Sequence, residues 1–419
     1  MRFKSSFVHL FIALFRNAVF LVKVILPRLK AWRKKPLVVF DLGSVGLREH
    51  FDPVIEWLLT NSGVQILVVV PEYEWNSYQP VSEPRKARYR IGLMTYRDFL
   101  IMPFKPAVTV SFHPESGLRL VSRVWRFSPF SPVRIVMQHG LSDKAAFGEI
   151  GKSDPLADFD VVFLIGPIFR EGSLRKYRKN HPETYSRLVF LNTGSPKTDL
   201  LFRASDDGTA LLKELGLDTS LRTVCYAPTW ERYASLERHG REIITQLAHL
   251  DVNVLVKLHH ASLDTYPHDY IIKLGHGGRD WRKTLREIEQ RLPNVRLAPG
   301  KDATPYFLVS DLLVSDVSGA AFEFVLQDKP VIFFDTPEIF EFYGGDGIHY
   351  YGRECGDIVT TVEELIPAVQ RNLTSPCHMS NQRKKWISRI SYSRGDATQR
   401  VCVAIVSYAM GQGNKLVGL

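Results

Sequence analysis

Leu312-Leu313-Val314-Ser315-Asp316-Val317-Ser318-Gly319-Ala320-Ala321-Phe322-Glu323 is a strand, a turn and a helix start within twelve residues. Its first four residues form the short apolar run of a strand buried on both faces, the hallmark of a parallel sheet. Ser318 is placed as the N-cap of the next helix, because its hydroxyl can accept a hydrogen bond from a free first-turn amide. Gly319 and Ala320 allow close approach to those amides, and a helix start behind a strand suits an anion such as a diphosphate. Asp316 is positioned to bind a sugar hydroxyl or orient a histidine, and Glu323 to bind a ribose. The plainer alternative is a capped helix whose Glu323 faces solvent.

The same alternation extends outward in both directions. A first series of apolar, β-branched runs occupies 37–40, 64–70, 108–112, 133–137, 161–165 and 188–191. A second series follows the polar stretch 205–209, with runs at 223–227, 252–258, 295–297, 312–315 and 331–334. Helical patterns fall near 238–250, 280–291, 319–327 and 362–372. The fold class is therefore α/β, with two Rossmann-like domains facing each other across a cleft. The expected boundaries are 36–204 and 205–380, with a helical segment at 381–419 that crosses back to the first domain. The chain lacks an internal repeat, a GxGxxG turn and a Walker A motif, which argues against dinucleotide oxidoreductases and P-loop NTPases. The aromatic and charged stretch 72–90 reads as a surface excursion.

Charge locates a further segment. The 419 residues carry a net charge of +10. Nine basic residues precede the first acidic one, Asp41, so the remainder is close to neutral and a broad nucleic-acid surface is disfavoured. Arg2, His9, Arg16, Lys23 and Lys30 recur every seven residues, along one stripe of a helix whose other faces are rich in Phe and Leu. Arg16 would lie near the bilayer centre of a spanning helix, at a cost of about 2.5–3.5 kcal/mol. Residues 1–35 are thus expected to form an amphipathic helix in the plane of an anionic membrane surface, the alternative being a helix packed on protein. Four scattered cysteines exclude a disulfide framework and a CxxC zinc site.

The remaining candidates also sit at expected strand ends, where open α/β sheets bind ligands. In Gln138-His139-Gly140, the glycine permits a sharp turn and the histidine can take a proton from a hydroxyl. Alternation along 252–258 puts Lys257 and His259 on one face, a cation beside an imidazole, which suits a phosphate-bearing ligand. A surface pair or a His259-His260 metal site is the alternative, the latter lacking a carboxylate or thiolate at ligand spacing. Tyr226-Ala227-Pro228-Thr229-Trp230 and Gly194-Ser195-Pro196-Lys197-Thr198-Asp199 lie where a hinge and a substrate loop belong, or are ordinary turns. Asp158-Phe159-Asp160 formally matches a DxD metal motif, but it precedes a strand and is set aside.

Taken in order, His139-Gly140, Gly194–Asp199, Tyr226–Trp230, Lys257-Leu258-His259 and Asp311–Ser318, with Lys329–Phe334 and Gly395…Arg400, resemble the CDP-glycerol glycerophosphotransferase family of teichoic-acid primases and polymerases. The resemblance covers about 130–405 and implies a GT-B fold, often with monotopic membrane attachment. It implies transfer of glycerol phosphate from CDP-glycerol to a lipid-linked glycan or polyol-phosphate chain at the cytoplasmic face of the cell membrane. His139 would be the general base. His259 and Lys257 would hold the diphosphate, joined by the Ser318–Gly319 amides, Asp316, Glu323, Pro228 and Thr229. Gln138, Gly140, Ser195 and Lys197 would line the acceptor side. No metal or other cofactor is obligatory in this reading, and a homo-oligomer is left open. Gln138 stands where the family usually has Trp, and Gly319 with Glu323 leans toward UDP-sugar 2-epimerases. A UDP-sugar GT-B enzyme and an inert membrane-bound scaffold are the two alternative functions.

Overall fold

The computed structural model describes residues 35–42, 48–70, 91–95, 106–112, 132–138, 154–202, 208–230, 232–263, 280–316, 318–342 and 353–413. Valine and isoleucine dominate the strands, since branched side chains fit a pleated surface buried on both sides. The first series comprises β1 (Leu37–Asp41), β2 (Gln65–Val70), β3 (Ile91–Thr95), β4 (Val108–Ser111), β5 (Val133–Met137), β6 (Val161–Leu164) and β7 (Val189–Asn192). The second comprises β8 (Arg222–Tyr226), β9 (Val252–Val256), β10 (Val295–Leu297), β11 (Leu312–Ser315), β12 (Val331–Phe334) and β13 (Asp357–Val359).

These strands form two parallel sheets, ordered β3-β2-β1-β4-β5-β6-β7 and β10-β9-β8-β11-β12-β13. In each sheet the chain runs outward from the middle strand, then returns to lay its fourth strand beside the first. Val38 pairs with Val108 across β1 and β4, and Leu312 with Val224 across β11 and β8. That reversal is the Rossmann order, and it opens a crevice beyond the carboxyl ends of the two central strands.

Each sheet is covered on both faces. Helix Arg48–Asn61 packs Phe51, Val54, Ile55 and Leu58 onto the first sheet. Helix Ala397–Ala409, from the far end of the chain, adds Val401, Cys402, Ala404 and Ile405 to the same cluster. Helices Ser235–Ala248, Trp281–Arg291 and Val362–Thr374 cover one face of the second sheet. Two of them start at clear caps: Asp280 accepts from Lys283 N, and Thr361 from Glu364 N. A third cluster joins Ile165, Ile168 and Leu201 of the first unit to Leu255, Phe307, Phe324 and Phe333 of the second. Trp386 and Ile390 of helix Ser380–Ile390 complete it. Gly166 is required there, because a Cβ on it would meet the Ile390 carbonyl oxygen at 2.0 Å.

Two parallel α/β sheets were expected from the sequence and both are present, with two added edge strands. β3 contains Gly92, and β13 is three residues long with Ile358 half exposed, so neither has the apolar run of a central strand. The basic segment bearing Arg2, Arg16, Lys23 and Lys30 lies outside the described residues. Among the described residues no helix is long and apolar enough to cross a membrane.

Candidate active site at the facing strand ends

The crevice of the second sheet is built around Asp316, which follows β11 and is fully buried. Its Oδ1 accepts from Thr229 N at 2.8 Å, and its Oδ2 from Ser235 N at 3.0 Å and Ser235 Oγ at 2.8 Å. Asp316 thus pins the loop that leaves β8, where Pro228 and Thr229 are buried and Trp230 emerges partly exposed. The carboxylate is directed at Thr229 and Ser235, whose backbone amides would otherwise lose hydrogen bonds on burial. Ser318 caps helix Gly319–Val325, accepting from Ala320 N at 3.2 Å. Its side chain therefore serves the helix start.

β9 ends at Val256, and Leu258 joins Val254 and Val256 in the apolar cluster on one face of the sheet, as alternation suggested. Lys257 is buried, and its Nζ donates to the Gly300 carbonyl at 2.8 Å. Burial pushes its pKa down from the ordinary lysine range. His259 is exposed, 5.9 Å from the Trp230 ring at an interplanar angle of 23°, and 4.1 Å from the His260 ring. Its Nδ1 accepts from Ala261 N at 3.2 Å, so the neutral ring carries its proton on Nε2. The strand end thus holds a buried cation, followed two residues later by an oriented N–H donor.

The first sheet contributes Lys197, at the start of the 3₁₀ turn Pro196–Phe202. Its Nζ lies 3.0 Å from each oxygen of Glu323 and 4.0 Å from Oε1 of Glu49. Glu323 is only 6% exposed, so it neither faces solvent nor stands open to a ribose in this arrangement. Burial opposes the charge on Lys197, but Glu323, Glu49 and Asp302 outweigh it and hold the ammonium above the ordinary lysine range. Burial raises the Glu49 carboxyl, with Lys197 opposing. Lys257 and Asp302 act electrostatically on both groups. Lys197, Glu323 and Glu49 thus meet between the two sheets, and Lys257 and Asp302 are coupled to them electrostatically.

Glu49 and Asp302 were not among the sequence candidates. Both follow expected strands, Glu49 eight residues after β1 and Asp302 five residues after β10, and that placement was the available signal. Ser195 is buried, and its carbonyl accepts from Thr198 N and Oγ1, which shapes the turn after Gly194 (φ +80°). Gln138 is buried behind the first sheet's edge, its Oε1 accepting from Ile165 N at 3.3 Å. His139 and Gly140 lie outside the described residues. Asp160 of the tripeptide Asp158-Phe159-Asp160 is paired with Arg134 at 2.8 Å, a structural role for the second aspartate. Among the described residues no three His, Cys, Asp or Glu side chains are grouped as metal ligands.

Two Rossmann-order sheets meeting at their carboxyl edges, with Lys197 of the first ion-paired to Glu323 of the second, define a GT-B-like class. Within that class, the family model for CDP-Glycerol:Poly(glycerophosphate) glycerophosphotransferase matches residues 175–407, more than half of the chain, and the chain belongs to this family. It is 23% identical over 220 residues to a teichoic acid poly(glycerol phosphate) polymerase of Bacillus spizizenii, covering 51% of this chain and 52% of that one. It is 26% identical over 227 residues to a teichoic acid glycerol-phosphate transferase of Staphylococcus aureus, covering 52% and 55%. The chain spans about half the length of these curated relatives in the matches. The solved wall teichoic acid polymerase TagF superposes with a TM-score of 0.60 at 17% identity, over 96% of this chain and 99% of that one. At that identity the likeness shows the fold.

Proposed function

We propose that the protein transfers glycerol phosphate, or a related polyol phosphate, from CDP-glycerol to a hydroxyl of a lipid-linked glycan or polyol-phosphate chain. CMP is released, and the product is a teichoic-acid-like or capsular polymer. The observation that carries this reading is Lys257 and His259 at a strand end of the second sheet, across from Lys197 on the first. Family membership supplies the donor and the reaction type. Residues 36–204 are read as the acceptor domain, 205–380 as the CDP-donor domain and 381–419 as the segment linking back.

In this mechanism the acceptor oxygen attacks the phosphorus that bears glycerol. The bond from that phosphorus to the bridging diphosphate oxygen breaks, and the bridging oxygen leaves with CMP. His139 takes the acceptor proton, in the role that the family resemblance assigns to it. His259 offers Nε2–H to the departing phosphate, and Trp230 fixes the plane of its ring. Lys257 adds positive charge behind it. Phosphoryl transfer depends chiefly on such positioning and charge stabilisation, so no cofactor enters this reading. The basic segment 1–35 would hold the enzyme at the cytoplasmic face of an anionic membrane, where a lipid-linked acceptor is concentrated.

The test offers radiolabelled CDP-glycerol, CDP-ribitol and UDP-sugars to the purified full chain with a synthetic lipid-linked acceptor. CMP release from a CDP-polyol is expected, and His259→Ala should slow it by about 10²–10⁴-fold. Consumption of UDP-sugars alone would overturn the reading. So would polymer synthesis in cells unaffected by His259→Ala, the result a scaffold predicts.

A further inference from the structure

We infer that Lys197 is a positioning residue that registers the donor half of the site against the acceptor half, by bridging Glu323 of the second sheet to Glu49 of the first. This deepens, and rests on, the phosphotransferase reading above. The bridge joins residues from three separate strand ends: helix Arg48–Asn61 after β1, the turn after β7, and helix Gly319–Val325 after β11. The side chains of Lys197, Glu323 and Glu49 retain 11%, 8% and 18% of their exposure. Screening by solvent is therefore weak, and the attraction between ammonium and carboxylate is correspondingly strong. Both oxygens of Glu323 face the one ammonium.

The surroundings of Lys197 are stiff. Thr198 Oγ1 donates to the Ser195 carbonyl at 2.8 Å. Asp199 accepts the first amides of helix Ala397–Ala409, from Ala397 N at 2.9 Å and Thr398 N at 2.8 Å. Leu201 lies in the apolar cluster shared by both sheets. A rigid turn presenting one buried cation to two carboxylates transmits a fixed distance between the sheets. A donor held by Lys257 and His259 reaches an acceptor on the first sheet only at that distance, and small misplacements in such a step slow the chemistry steeply.

The experiment compares wild type with Lys197→Met, Lys197→Arg and the double variant Lys197→Met/Glu323→Met, all as the full chain. The double variant removes the bridge without leaving Glu323 buried and unpaired, so a folding defect of the single variant does not block the test. Donor affinity is read by calorimetry with CDP-glycerol, and turnover by CMP release. The gap between the sheets is read by spin labels at the exposed positions Thr60 and Gln370, with exposed Cys377 replaced by Ser.

Loss of the bridge is expected to lower kcat by about 10–10²-fold. Donor Kd should stay within about threefold, since Lys197 is directed at Glu323 and Glu49 and not at the donor. The distance distribution should broaden, and Lys197→Arg should restore much of both readouts. Unchanged kcat and label distances in both Met-bearing variants would overturn the inference. A weaker donor Kd at unchanged kcat would also overturn it, by making Lys197 a donor contact. If wild type itself releases no CMP, the phosphotransferase reading fails, and the label distances still report on the bridge.

Discussion

Asp316 accepts three hydrogen bonds in a site closed to water, and its chemistry leaves little room for a substitute. An asparagine there has one acceptor oxygen, and its NH₂ group would face a backbone N–H that needs an acceptor. Asp316→Asn should therefore cost about 1–3 kcal/mol, the penalty for a buried donor without a partner. Urea unfolding monitored by circular dichroism measures it. Activity should fall with it, because the loop that Asp316 holds carries Trp230, on which His259 stacks. Local reading located Asp316 but not its partner, since Thr229 and Ser235 are more than eighty residues away in the chain. Ser318 differs: a cap lies beside the helix it serves, so the pattern itself exposed it.

At the scale of elements, helix Ala397–Ala409 shows how a start signal can be supplied from elsewhere. Asp396 precedes the helix, but its carboxylate bonds Ser393 Oγ at 2.7 Å and Arg400 Nε at 2.8 Å and makes no cap. The first two helical amides are instead taken by Asp199, nearly two hundred residues earlier. Asp199→Ala should destabilise by about 0.5–2 kcal/mol, the usual range for a lost cap. Amide exchange should quicken in residues 397–401 before it does in helix Val362–Thr374, whose own cap, Thr361, is local. The helix should nonetheless stay docked, because burying each Val or Ile side chain, as at Val401 and Ile405, contributes about 1.5–3 kcal/mol. The strands were legible for the same reason, in that a central parallel strand must be apolar on both faces. The edge strands β3 and β13 bear no such requirement and were missed.

For the whole molecule, titration links its scattered ion pairs to stability. Burial raises the carboxyls of Asp154, Asp357 and Asp396, but hydrogen bonds outweigh it and hold each below the ordinary aspartate range. The donors are Thr184 and Tyr177 for the first, Asn372 and Arg371 for the second, and Ser393 and Arg400 for the third. Groups shifted down in the folded state stabilise it above the unfolded carboxylate pKa, near 3.9 for aspartate, and lose that contribution as pH falls through the folded values. Burial drives Glu49 and Asp52 the other way, so these two favour the folded state as pH drops toward the carboxylate range. The melting temperature should hold or rise slightly from pH 7 toward 5, then fall steeply below about 4. Asp154→Asn should flatten that acid limb when the two proteins are melted side by side across the range.

By itself the sequence determined the two parallel α/β series, the strand-end placement of Lys257, His259 and Asp316, and the order of motifs that resembles a glycerophosphotransferase. Each of these is written locally, in runs that must be apolar to be buried or in turns that follow them. Only the tertiary structure decided which charges meet. It buried Glu323 beside Lys197 instead of leaving it to face solvent, and brought in Glu49 and Asp302. It also placed His259 at the surface while burying Lys257. Charge pairing acts through space and imposes no spacing along the chain, so groups that meet only after both sheets close leave no periodic trace in the residues between them.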